Sequence, residues 1–276
     1  MPFDFEKRTV RLNDGRDMPI IGLGVFTLDD ATAESAVTVA LQSGYRLIDT
    51  AHIYGNEEAV GRAVKKAGVP RAQVFITTKL WTADFPRAAA EIDAMLQRLD
   101  TDYIDLLLLH HPDAHDEDAY RAMEQAVQAG KVRSIGLSNY YEKEFGRIMK
   151  GATITPAVVQ NETHPYSQWK ALKKFFAGYG TVLESWYPLG GRDRYGRGGY
   201  ATLAADPVIV DLAKKYGKTT AQIILRWHLQ DGNIVVPGSR NPAHIKENIS
   251  IFDFALDADD MQRMAALDKQ QRFSTF

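Results

Sequence analysis

Four polar residues in the first half of the 276-residue chain have the types needed to hand a proton to a carbonyl: Asp49, Tyr54, Lys79 and His110. Asp49 closes the run LID, Lys79 follows FITT and His110 follows IDLLLL. Tyr54 lies five residues beyond Asp49, before a helix expected from near Asn56. A phenol is a weak acid, with an unperturbed pKa of about 10, but an adjacent ammonium favours the phenolate and lowers that value. Lys79 is expected to act on Tyr54 in this way. A partly buried lysine needs a counter-charge to stay protonated, which Asp49 offers, and His110 can hydrogen-bond a substrate carbonyl. Taken singly, these residues read more simply as a buried ion pair, a loop aromatic and a core histidine. Their joint placement favours a proton donor with its tuning groups.

Such placement requires a scaffold that brings several strand ends to one rim. Short apolar runs at Ile20–Gly24, Tyr45–Asp49, Val74–Thr78, Ile104–His110, Ser134–Ser138, Ala157–Gln160, Val182–Ser185 and Ile234–Val236 make eight strand candidates. Between them lie helical patterns, such as Ala88, Ile92, Met95, Leu96 and Leu99, with apolar positions on one face. Thr219 and Gln222 fit a capping box at the start of a helix leading into the last strand. Repeated strand–helix alternation favours a parallel sheet covered by helices, and eight units favour closure into a (β/α)₈ barrel, an α/β TIM fold whose active residues sit at the strand C-termini. Ahead of it, Thr9–Leu12, Asn13-Asp14-Gly15 and Arg16–Ile20 predict a β-hairpin that plugs one end. No linker or repeat divides the chain, so one domain is expected over 1–276. The glycine- and arginine-rich stretch Gly190–Tyr200 reads as a loop that could close over a ligand.

Composition excludes several classes. The chain has no cysteine, hence no disulfides or thiolate chemistry, and its opening residues lack a secretory apolar run. No stretch approaches the roughly 18 apolar residues that span a bilayer. A formal charge of −2 argues against general nucleic-acid affinity. The expectation is a cytoplasmic, soluble monomer acting on a small molecule, without membrane or nucleic-acid partners. His110, His111, His115 and Asp116 lack the spacing of a zinc site, so no metal is expected. Gly22-Leu23-Gly24 follows a strand but lacks the third glycine of a dinucleotide fingerprint, so a cofactor would have to bind differently. Gly238-Ser239-Arg240-Asn241-Pro242 precedes a helix whose N-terminus favours phosphate.

The segments GLGVF, GYRLIDTAHIYGNEEAVG, FITTKLW, IDLLLLHHP, SIGLSNY, ESWYPLG and VPGSRNPAHIKEN together resemble the aldo-keto reductases almost end to end, and most nearly the bacterial branch with 2,5-diketogluconate reductases. The resemblance implies NAD(P)H-dependent reduction of aldehydes or ketones on a barrel that binds NADPH without a Rossmann domain. It makes Asp49, Tyr54, Lys79 and His110 the catalytic tetrad, with His111 at a usually aromatic position. It implies that Ser138, Asn139 and Gln160 hold the nicotinamide carboxamide, that Trp186 stacks on the ring, and that Gly24, Val25, Phe26, Tyr187 and Leu189 complete that end. Glu247 and Asn248 match adenine contacts. Phe26, Tyr54, Trp81, His110, His111 and Tyr187 line the substrate pocket by the same resemblance.

The chain departs from the family at Gly238 and His244, where lysine and arginine usually hold the adenosine 2′-phosphate. Ser239, Arg240, Asn241 and His244 still offer phosphate contacts, but an imidazole is a weaker cation than a guanidinium. NADPH use with weakened discrimination against NADH is expected. One of Arg192, Arg194 and Arg197 could clamp a substrate carboxylate. Two other readings stay open: a barrel lyase or aldolase forming a Schiff base on Lys79, and a non-catalytic nucleotide-sensing subunit.

Overall fold

The structure, a computed structural model, describes residues 3–275. The expected domain span and signal-free opening both reach residues outside the described ones, namely Met1, Pro2 and Phe276.

Eight short strands are buried on both faces, as a parallel sheet covered by helices requires. They are β4 (Gly22–Gly24), β5 (Leu47–Asp49), β6 (Phe75–Leu80), β7 (Ile104–Leu109), β8 (Val132–Ser138), β9 (Val158–Glu162), β10 (Val182–Trp186) and β11 (Ile234–Val235), paired in chain order. The sheet closes where Val235 N donates to Ile20 O at 3.1 Å and Gly24 N to Pro237 O at 3.2 Å. The result is the eight-stranded (β/α)₈ barrel that the alternation predicted. Glycines permit close approach where helices meet. A side chain at Gly61 would put its Cβ 2.5 Å from Leu99 O.

The predicted hairpin is present as β2 (Thr9–Arg11) and β3 (Asp17–Pro19), with Gly15 at φ +85° in the turn. The sequence reading missed a third strand, β1 (Phe3–Asp4), paired antiparallel with β2; two residues carry no periodicity. The hairpin turn bonds the barrel's N-terminal end, through Asn13 Nδ2 to Pro156 O and Ser134 Oγ to Asp14 Oδ2.

The Thr219/Gln222 capping box starts helix Thr220–Gln230 as expected. That helix packs Ile224 and Trp227 into a second apolar cluster with Leu212, Met264 and Phe273. Phe273 belongs to a C-terminal strap laid over the rim. Buried Glu162, at the end of β9, accepts from Phe273 N at 2.6 Å, Ser274 N at 3.1 Å and Arg272 Nε at 3.0 Å, and the Phe273 ring stacks on His164 at 4.2 Å. Gln271 Nε2 donates to Arg197 O, which ties the strap to the 190–200 loop. Among the described residues no helix is long and apolar enough to cross a membrane.

Candidate active site

The C-terminal ends of the strands converge on a cleft of about 740 Å³; Asp49, Tyr54 and His110 line it, and the buried Lys79 joins them through hydrogen bonds to Asp49 and Tyr54. Asp49 ends β5 and Lys79 lies near the end of β6, both buried. Lys79 Nζ donates to Asp49 Oδ1 at 2.7 Å and Oδ2 at 2.8 Å, to Thr50 O at 2.9 Å and to Tyr54 OH at 3.4 Å. Burial works against the ammonium, but Asp49 outweighs it and holds the lysine above its ordinary value.

Tyr54 comes from a 3₁₀ turn, His52–Tyr54, whose position the following Asn56 and Glu57 explain. Asn56 Nδ2 donates to Val25 O and Leu28 O while its oxygen accepts from Thr50 Oγ1. Glu57 accepts from Thr78 Oγ1 and from Arg98. His52 adds an anchor that sequence reading missed, its Nδ1 lying 2.7 Å from Asp84 Oδ2 and 3.4 Å from Glu91 Oε1. Those carboxylates also pair with Arg87 and Arg98, so the group reads as an ion network bracing the turn and not as a metal centre.

One expectation about Tyr54 is corrected. Burial, the largest influence, raises the phenol to about 12 and outweighs the pull of Lys79, so the phenol is not made more acidic than a free tyrosine.

His110 follows β7, edge-on to Tyr54 at 5.7 Å and to Trp81 at 5.3 Å, and stacked on His111 at 5.0 Å. Burial, then Lys79 and His111, hold its imidazole well below the usual histidine value, hence neutral. Among the described residues its buried Nδ1 has no hydrogen-bond partner. An orphaned acceptor is less costly than an orphaned N–H when the other nitrogen can use the proton, which places the hydrogen on Nε2. His110 lines the cleft, where that N–H can meet a carbonyl oxygen.

The residues assigned to a cofactor by resemblance fall along the same cleft. Gly24, Phe26, Ser138, Asn139, Gln160, Trp186, Tyr187 and Leu189 lie toward the tetrad, and Gly238 to Asn241, His244, Glu247 and Asn248 line the part built from the last strand and helix Pro242–Ile249. Val25 does not line it: its side chain is buried, and its peptide N–H bonds Asp49 O. Asn139 and Tyr187 hold left-handed backbone at φ 63° and 54°, strain of the kind that collects at functional sites. Asn139 bridges, donating to His110 O at 3.0 Å and accepting from Trp186 Nε1 at 3.0 Å. Trp81 and His111 line the pocket beside His110. Of the three loop arginines, Arg192 and Arg194 line the cleft and Arg197 does not; Arg194 sits 5.2 Å over the Phe26 ring.

Among the buried carboxyl groups that the sequence reading passed over, Glu162 under the strap and Glu184 within β10 are fully buried. A lone charge inside the apolar run VLESW was the signal for the second.

The model of the aldo/keto reductase family matches residues 20–269. Glyoxal reductase of Bacillus subtilis is 40% identical over 270 residues, covering 96% of this chain and 95% of its own, and morphine 6-dehydrogenase of Pseudomonas putida is 41% identical over 269 residues, covering 94% and 90%. A crystal structure of MGS-M4, an aldo-keto reductase enzyme from a Medee basin deep-sea metagenome library, superposes with a TM-score of 0.91 at 38% identity, covering 96% of this chain and 97% of the other. The chain belongs to the aldo/keto reductase family, whose members are oxidoreductases acting on carbonyl groups.

Proposed function

We propose that the protein reduces an aldehyde or ketone to an alcohol with a nicotinamide dinucleotide, Tyr54 giving the proton. The observation that carries this reading is the buried Lys79–Asp49 pair beneath a phenol and a neutral imidazole that share one cleft. Bound in that cleft, the nicotinamide supplies a hydride. The residues present fit such a group: amide and hydroxyl side chains at Ser138, Asn139 and Gln160, the Trp186 ring at one end, and a helix N-terminus capped by Asn241 at the other. His110 Nε2–H polarises the carbonyl, and the Tyr54 hydroxyl, which accepts from Lys79, keeps its own proton free to give.

The Schiff-base alternative needs a neutral Lys79 amine, whereas this one is held charged against Asp49. A nucleotide-sensing subunit would bind dinucleotide without turnover. Mixing the protein with NADPH or NADH and a panel of aldehydes, dicarbonyls and keto acids, and following cofactor absorbance, tests all three readings. Absence of turnover on the whole panel overturns the reductase.

The cofactor preference follows from Gly238 and His244 standing where the family's cations usually stand. Dissociation constants for NADPH and NADH within about tenfold of each other are expected, measured by fluorescence titration. A preference for NADPH of roughly a thousandfold, about 4 kcal/mol, would show that Ser239, Arg240 and Asn241 replace those cations fully. Arg192 and Arg194 narrow the search for a carboxylate clamp to two residues, favouring keto acids on the test panel.

A further inference from the structure

Glu184 lies in the middle of β10, fully buried, and strand register sets it beside Gln160 of β9. Gln160 Nε2 donates to Asp49 Oδ2 at 2.7 Å and to Glu184 Oε2 at 2.8 Å. An amide nitrogen carries two N–H groups, so both are used. This orientation is dictated by chemistry: an ionised Asp49, already paired with Lys79, only accepts, and the amide must turn its nitrogen to it. The oxygen of Gln160 is then the polar atom left over. Gln160 lines the cleft, and among the described residues nothing donates to its Oε1.

We infer that Glu184 is a positioning residue that locks the Gln160 carboxamide, leaving its oxygen to accept from the amide nitrogen of the nicotinamide. This rests on the dinucleotide reading above. With one acceptor, the amide could swing about Asp49; with two, its plane is fixed. Burial, then the Asp49 carboxylate, push the Glu184 carboxyl well above the usual carboxylate range, which favours its neutral form and spares Asp49 a second negative charge alongside. Lys79 is the cation facing this group. Tyr54, Lys79, Asp49, Gln160 and Glu184 form one hydrogen-bonded chain, so the residue that holds the ring and the residue that gives the proton are positioned together.

The test compares binding of NADP⁺ and of its 3-acetylpyridine analogue, which carries a methyl ketone in place of the amide and has no N–H to donate. Fluorescence titration of the wild type is expected to show the analogue about tenfold weaker, the worth of one hydrogen bond. Glu184→Met, which fills similar space without an acceptor, is expected to narrow that difference to about twofold or less. Glu184→Gln keeps an acceptor oxygen and should restore it. Should the methionine variant fail to fold, Glu184→Ala repeats the measurement. A merely structural role would weaken both ligands equally. Undiminished discrimination in the methionine or alanine variant, or a wild type that binds the two dinucleotides equally, overturns the assignment of Glu184 alone. A wild type that binds neither overturns the dinucleotide reading with it.

Discussion

Replacing Tyr54 with phenylalanine is expected to cut carbonyl reduction by about a thousandfold while dinucleotide affinity stays near the wild-type value. The substitution removes one atom. The ring keeps its packing against Phe26, 5.0 Å away between centroids, and against His110. What disappears is the hydroxyl that Lys79 orients. Unchanged turnover in the variant, followed by cofactor absorbance, would remove the phenol from the mechanism. The pH profile of the wild type gives the same assignment a sign. Reduction uses the protonated phenol, and a group raised to about 12 stays protonated well beyond neutrality. Reduction should therefore be flat in kcat/KM between about pH 6 and 9, whereas oxidation of the alcohol, which uses the phenolate, should rise about tenfold per pH unit over that range. A reductive rate that falls as pH passes 8 would contradict it.

The second large effect is on stability. Lys79→Met strands the Asp49 carboxylate inside the barrel, where, among the described residues, the Gln160 amide is the side-chain partner left to it. Removing one member of a buried ion pair costs about 3–5 kcal/mol, because the other charge keeps its desolvation penalty and loses its compensation. The double variant Asp49→Asn/Lys79→Met should regain at least half of that loss, since no charge is then left buried. Urea unfolding of the wild type, the single variant and the double variant at neutral pH measures both. A single variant within about 1 kcal/mol of wild type would mean that the pair contributes little beyond chemistry.

The barrel and its rim were legible because periodicity and local chemistry agree there. The run IDLLLL has the length and unbroken apolar character of a strand buried on both faces, and His110 directly after it falls at the rim. Gly15, Thr219 and Pro242 mark a turn and two helix starts by chemistry that acts within a few residues. What the sequence hid depends on contacts made across the chain. The acidity of Tyr54 was misjudged because spacing reveals the neighbouring ammonium but not the burial that outweighs it. Val25 was carried into the cofactor site with its neighbours, although alternation along the chain turns its side chain inward. Glu162 looks like an ordinary strand-end carboxylate until residues 110 positions later return to it.

That return has a consequence for how the protein is made. As the chain leaves the ribosome, β9 is synthesised long before residues 272–274, and β4, among the first strands to emerge, closes only against segments around Val235 to Gly238. Until then Glu162 is a carboxylate in a half-built wall, lacking the peptide N–H groups of Phe273 and Ser274 and the guanidinium of Arg272. An unclosed sheet of this kind exposes strand edges, the state most prone to wrong pairing. Nascent chains stalled near residue 230 should therefore be protease-sensitive throughout, and the seal that residues 272–274 put on the rim is added only after all eight barrel strands have been translated.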